Sequence, residues 1–204
     1  MQDDDPLQYF ESNAPHLFEK YVALRRRAYS GKYSDLPLNF GLPDEADRIS
    51  RIVYAVRETA NGGRVLAGGG RLTISTPEVP RRLPLEEKDF SLRNCELLKH
   101  LHLDRNPYGE ISRMAAAPEH ARGFEVSSGL GNALCALAAR EGLDVVFSMC
   151  PELPARVNER NAKRRGVLFH RYTELRPVCG MRMWLCAFTG LLRVYAVGQT
   201  EKAR

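Results

Sequence analysis

The chain has 204 residues, 44% hydrophobic and 27% charged, enough for one domain with a real core, and it has no run near the roughly 20 apolar residues that a membrane span needs. Thirty Lys and Arg against 25 Asp and Glu leave a formal charge of +5. This modest excess has no aromatic-rich basic stripe, zinc-finger spacing or RNA-binding signature, so it argues against nucleic acid and leaves an acidic protein or a phosphate-bearing small molecule as partner.

The excess is gathered in runs at 25–27, 81–82 and 163–165, each of which reads equally well as a solvated helix face. Cysteines 95, 135, 150, 179 and 186 are odd in number and lack C-x-x-C spacing. With the acidic, polar start MQDDDPLQYF, unlike a signal peptide, they imply reduced thiols in a cytoplasmic protein, with neither a zinc site nor a disulfide framework. No repeat or linker divides the chain, so residues 1–204 are expected to form a single domain.

In chain order, HLFEKYVALRRRAY (16–29) predicts a helix with Leu17, Tyr21, Leu24 and Ala28 on its apolar face. Residues 30–48, rich in Pro, Gly and Asp, read as a long loop of the kind that is often functional. RIVYAVRET (51–59) and RVLAGGGRLTIST (64–76) read as strands joined through NGG (61–63), a strong hairpin signal. The stretch 79–107 reads as irregular, with a short helix near 94–101.

YGEISRMAAAPEHARGFEVSSGLGNAL (108–134) follows, a strand headed by a carboxylate and then a glycine-punctuated turn entering a helix. Ser127 or Ser128 is the expected cap of that helix, whose apolar face is Leu130, Ala133, Leu134, Leu137 and Ala138 and which ends near Gly142. LDVVFSMC (143–150) reads as a strand covered on both faces. PELPARVNERNAKRRG is a charged helix closed by Gly166, and VLFHRYTEL and MRMWLCAFTGLLRVYAV supply the last strands. The expected fold is α/β (α+β), a mixed central sheet with helices on both faces.

Strand, Gly-x-Gly turn, helix, buried strand and helix together resemble the core of the GNAT acyltransferases, whose loop pattern Gln/Arg-x-x-Gly-x-Gly/Ala reads here Val126-Ser127-Ser128-Gly129-Leu130-Gly131. Valine replaces the polar first position. Independently of the family, N–H groups at a helix N-terminus beside glycines suit the phosphates of coenzyme A or a phosphopantetheine arm, although a lone Gly-x-Gly is often only a helix-entry turn.

A more specific resemblance, over residues 18–115, is to the acyl-homoserine lactone synthases and the related N-acyl amino acid synthases. It rests on Glu110-Ile-Ser-Arg113, on Gly69-Gly70-Arg71-Leu72, on the Asp44-x-x-Asp47 pair and on Arg25 followed by Tyr29. A tryptophan expected after the first helix is absent; Tyr33 or Phe40 lies near its place, and the sole tryptophan is Trp184. The departure points to N-acylation of a small amine other than homoserine lactone, and LPLE (83–86) leans the same way, toward the N-acyl amino acid synthases.

The resemblance implies an N-acyltransferase moving an acyl chain from acyl carrier protein or acyl-CoA to the amine of an amino-acid-like metabolite. No cofactor would be tightly bound, no metal used and no covalent enzyme intermediate formed. Glu110 is the candidate general base, or else a structural partner of an arginine such as Arg71. Arg113 would orient Glu110 or bind the acceptor, which strict strand alternation permits only with a bulge. Arg25, Asp44, Asp47 and Arg71 would contact the acceptor or simply pin the loop. Met114, Ala115 and Ala116 would pair with the donor's arm and supply an oxyanion N–H, while Ser127, Ser128, Gly129 and Gly131 would hold its phosphates. The basic runs could receive a carrier protein's acidic face. The rival functions are an acetyl-CoA-dependent acetyltransferase and a non-catalytic acyl-thioester-binding module. A Cys150–His170 nucleophile and a metal site at HLH (100–102) carry little weight, having no local signature.

Overall fold

The computed structural model describes residues 7–32, 41–59, 61–86, 91–119, 124–178 and 181–195. In chain order these form β1 (Leu7–Glu11), α1 (Pro15–Lys32), α2 (Glu45–Ile49), β2 (Arg51–Glu58), β3 (Arg64–Ser75), a 3-10 turn (Glu96–Leu101), β4 (Tyr108–Ala116), α3 (Glu125–Arg140), β5 (Val145–Pro151), α4 (Glu152–Arg165), β6 (Leu168–Val178), β7 (Met181–Thr189) and α5 (Leu191–Tyr195). The strands hydrogen-bond in the order β1-β2-β3-β4-β5-β7-β6. Strands β1 and β2 are antiparallel, β4 and β5 parallel, and β5, β7 and β6 antiparallel, so the sheet is mixed, as expected. The parallel β4–β5 step requires a crossover, and α3 lies in that connection.

Three expectations are corrected. The N-terminal stretch contains an edge strand, β1, whose residues alternate between half-buried and exposed. The 30–48 loop contains a helix, α2. The final segment is not all strand: Gly190, at φ 75°, ends β7 and turns the chain into α5. Tyr33 and Phe40 lie outside the described residues.

The chain forms two compact units, one of Met1–Arg71 with Arg113–Leu134, the other of Leu72–Ser112 with Cys135–Arg204. In the first, α1 buries the face read from its spacing. Tyr21 and Leu24 pack with Ile52, Tyr54, Ala115 and Ala117, flanked by Leu17 and Ala28. The glycine run of β3 makes room for other elements. A Cβ on Gly68 would meet Val126 Cγ1 at 2.6 Å, one on Gly70 would meet Leu134 Cδ1 at 2.9 Å, and one on Gly69 would meet Tyr21 Cδ2 at 2.6 Å.

Because the Tyr21 ring is itself fully buried, Gly69→Ala is expected to destabilise by about 1–3 kcal/mol through overpacking. Gly131→Ala, whose Cβ would meet nothing within 4 Å, should be neutral, or stabilising by up to about 1 kcal/mol from helix propensity. Calorimetric melting of the two variants checks the contrast.

In the second unit the 79–107 stretch, irregular as read except for the 3-10 turn at Glu96–Leu101, supplies much of the core. Leu83, Leu85, Leu92, Leu98 and Leu103 pack with Tyr108, Val145, Phe147, Leu185 and Ala187. The Glu86 carboxylate organises this segment, accepting the N–H of Leu83 at 2.7 Å and of Leu92 at 2.8 Å. Helix α4 ends as read, with Gly166 left-handed at φ 75° and its N–H on the carbonyls of Ala162 and Lys163.

Candidate active site

Within the first unit, three arginines close on two aspartates. Asp44 and Asp47 form a reciprocal capping box at the start of α2, each backbone N–H donating to the other's carboxylate at 3.0 Å. Arg25, fully buried on α1, grips Asp47 with two parallel bonds of 3.1 and 3.0 Å, and its Nε and Nη2 also donate to the carbonyls of Gly41 and Leu42. Arg71, 1% exposed, bonds Asp47 at 2.8 Å and also Asp44. Arg113 donates to Asp44 at 3.2 Å. The structure therefore brings Arg25, Asp44, Asp47, Arg71 and Arg113 together. Arg25, which the sequence also placed in a surface-charge run, belongs to the interior; its neighbours Arg26 and Arg27 are exposed, Arg27 paired with Glu119 at 2.7 Å.

Burial by itself would raise the pKa of both aspartates. Hydrogen bonds and charge from the arginines overcome it: Arg25 foremost holds Asp47 below the usual carboxylate range, and Arg71 does the same for Asp44. The guanidiniums of Arg25 and Arg71 are raised in turn, the aspartate bonds outweighing desolvation.

The strand alternation that separates Glu110 from Arg113 is broken at Arg113 itself, whose φ is +54°. A non-glycine residue in the left-handed region costs about 1–3 kcal/mol and persists only when its surroundings over-determine it. Here the Tyr21 hydroxyl donates to the Arg113 carbonyl at 2.6 Å, the Tyr29 hydroxyl to the next carbonyl, of Met114, at 3.2 Å, and Asp44 holds the Arg113 side chain. The Tyr21 ring stands edge-on to Tyr54 at 6.0 Å with the Arg25 guanidinium 5.4 Å from its centre.

Two of the donor-site readings change. Ser127 and Ser128 are not helix caps: α3 begins at Glu125, and the Ser128 N–H already bonds the Phe124 carbonyl at 2.8 Å. The N–H groups ahead of that first bond are those of Glu125, Val126 and Ser127. The room above Gly129, read as access for a phosphate, is taken by Tyr9, whose hydroxyl oxygen lies 2.0 Å from where a Cβ would sit; the space at Gly131 is open.

Glu110 stands in the second unit, 3% exposed, its Oε2 accepting the Leu85 N–H at 2.7 Å. It is also the last residue of β4 in register with β5, opposite Phe147. Cys150 has Ser148, Asn158 and Cys186 as partners, while His170 bonds Thr189 at 3.2 Å, so the structure does not join the suggested thiol–imidazole pair. Trp184 packs beneath Arg171, 5.1 Å from the guanidinium. Among the described residues no group of three or more His, Cys, Asp or Glu could hold a metal ion, and no helix is long and apolar enough to cross a membrane.

The sequence reading placed Tyr21 only on an apolar helix face and Glu86 only at the end of LPLE, and it missed Tyr9. The signal for Tyr21 is Gly69, since a glycine inside a strand marks a close approach.

No protein-family model and no curated protein matches the chain in sequence. Solved structures match its fold. FeeM, an N-acyl amino acid synthase from uncultured soil microbes, superposes with a TM-score of 0.58 at 11% identity over 96% of this chain and 98% of its own. The CoA-dependent acyl-homoserine lactone synthase BjaI gives 0.55 at 16% over 94% and 88%. An N-acetyltransferase described as putative, from Lactobacillus plantarum, gives 0.59 at 9% over 91% and 99%. The chain shares the GNAT-like mixed α/β fold of these structures, among which are acyl-homoserine lactone and N-acyl amino acid synthases.

Proposed function

We propose that this protein is an N-acyltransferase that moves an acyl chain from acyl carrier protein or acyl-CoA to the amine of a small, amino-acid-like metabolite. The observation that carries the reading is the buried Arg25–Asp47–Arg71–Asp44–Arg113 network ending on a left-handed residue of β4, within a fold shared with synthases of this type.

Each residue then has a role. Glu110 takes the proton of the attacking amine, directly or through water. Arg113, the network member that reaches solvent together with Asp44 (side chains 18% and 34% exposed), meets the acceptor's charged group. Arg25, Arg71 and Asp47 hold α2 and Asp44 in place for it. Met114, Ala115 and Ala116 align the donor's pantetheine arm along β4. The opening of α3, with Ser127, Ser128 and the open face at Gly131, receives the donor's phosphates, and Gly129 serves the packing of Tyr9. Coenzyme A and carrier protein end in the same arm, so either can present the acyl group.

The test is thermal stability with coenzyme A, acetyl-CoA, decanoyl-CoA and a decanoyl carrier protein. A donor at 100 times its Kd should add about 2.7 kcal/mol, which for a chain of this size is roughly 5–10 °C. Stabilisation by the decanoyl donors beyond that by acetyl-CoA is expected. A shift with acetyl-CoA alone would mark an ordinary acetyltransferase, and no shift with any saturating donor would overturn the reading.

A further inference from the structure

We propose that Tyr21 is a positioning residue, whose hydroxyl sets the direction in which the Met114 N–H meets the thioester oxygen. The inference rests on the acyltransferase reading and adds a residue that neither composition nor motif singles out for chemistry.

In acyl transfer the amine attacks the thioester carbonyl. A C–N bond forms and negative charge collects on oxygen. The C–S bond then breaks, and the thiol departs with the equivalent of the proton the amine gave up. A backbone N–H aimed at that oxygen stabilises the charge only if its direction is fixed beforehand.

The Arg113–Met114 peptide is fixed in this way. No peptide among the described residues is cis, and in a planar trans unit the C=O and N–H point in opposite directions. Tyr21 donates to the Arg113 carbonyl at 2.6 Å, so the Met114 N–H is turned away from Tyr21. Rotation of this peptide is blocked from both flanks. Arg113 holds its left-handed backbone with its side chain on Asp44 at 3.2 Å, and the following carbonyl accepts from Tyr29 at 3.2 Å.

The tyrosine cannot swing either. Its ring is fully buried, edge-on to Tyr54 and under the Arg25 guanidinium, and it fills the space that Gly69 leaves open. Burial, with Tyr29 nearby, also raises its pKa well above the usual phenol range, so the hydroxyl remains a donor throughout the working pH range. The buried ion network thus does more than hold a loop: through Arg25 and Asp44 it braces both the tyrosine and the residue whose carbonyl it holds.

Tyr21→Phe removes only the hydroxyl, and Tyr54→Phe, in the adjoining buried ring, gives the baseline for losing a hydroxyl from this core. In Tyr21→Phe we expect kcat to fall roughly 10- to 100-fold, with the donor KM within about 3-fold of the parent value. In Tyr54→Phe kcat should stay within about 2-fold. The Met114 amide resonance, followed by 15N NMR, should move in Tyr21→Phe and not in Tyr54→Phe. Equal kcat losses in the two variants, or an unmoved Met114 resonance in Tyr21→Phe, overturns the inference. If the unmodified protein turns over no donor–amine pair, the acyltransferase reading fails separately, and the amide resonance still decides whether Tyr21 sets this peptide.

Discussion

Asp47→Asn is expected to lower stability by about 3–5 kcal/mol, because it leaves Arg25 and Arg71 buried without the shared charge that compensates them. At about 2–4 °C per kcal/mol for a chain of this size, the melting temperature should fall by roughly 6–20 °C. The carboxylate is 1% exposed and takes two bonds from Arg25 and one from Arg71, so water cannot replace it. Asp144→Asn gives the control. The exposed Asp144 carboxylate accepts the Leu192 N–H at 3.0 Å, and its loss should cost about 1 kcal/mol or less.

The same network sets the acid limit. Asp44 and Asp47 have pKa values lowered on folding. Their contribution is therefore complete above the unfolded carboxylate value near 4 and is lost as pH falls below it, through the folded values. Acid titration of Asp47→Asn should show a shallower loss between about pH 5 and 2 than the parent protein. A parallel curve would mean that Asp47 does not carry the linkage.

Glu110→Gln is expected to lower kcat about 10²- to 10⁴-fold while leaving the fold intact. Glutamine keeps an oxygen for the Leu85 N–H, now bonded at 2.7 Å, but cannot accept the amine's proton. Glu110→Ala should do something different, leaving that buried N–H unpaired and costing about 1–3 kcal/mol in addition. Steady-state rates and melting of both variants separate the two roles. Full activity in Glu110→Gln would reduce the residue to a structural acceptor for the Leu85 N–H.

The elements the sequence announced are those whose pattern repeats along the chain. Leu17, Tyr21, Leu24 and Ala28 recur at helical spacing and pack together; the run from Val145 is mostly apolar because successive residues of β5, which point to opposite faces, are buried; Gly166 ends α4 in the left-handed conformation that glycine adopts without strain. The elements it hid depend on distant partners. Strand β1 has five residues and one neighbouring strand, too few for alternation to stand out. Helix α2 opens on Asp44-x-x-Asp47, a capping box with aspartate in place of the usual glutamate, and at five residues it cannot display a period. The left-handed Arg113 had no local signal, since nothing about an arginine favours positive φ; tertiary bonds to its carbonyl and side chain impose it. The same five charged residues were legible as motifs, but that Arg25 would be interior, and that Arg113 would join the aspartates, followed only from the folded geometry.

Helix α2 has one more implication. Five residues are too few to hold a helix in water, and Asp47 is the only one that is buried, while its last residue, Ile49, is 45% exposed. The segment therefore has no means of loosening by degrees. While the aspartates are engaged it is helical, and once they are released it has no reason to be. Opening of 41–50 should be a single cooperative event that uncovers Arg25, Arg71 and the Arg113 side chain at once. Its amides should exchange with solvent as a group, at one free energy below that of global unfolding. A proteolytic nick in this stretch would then count those openings.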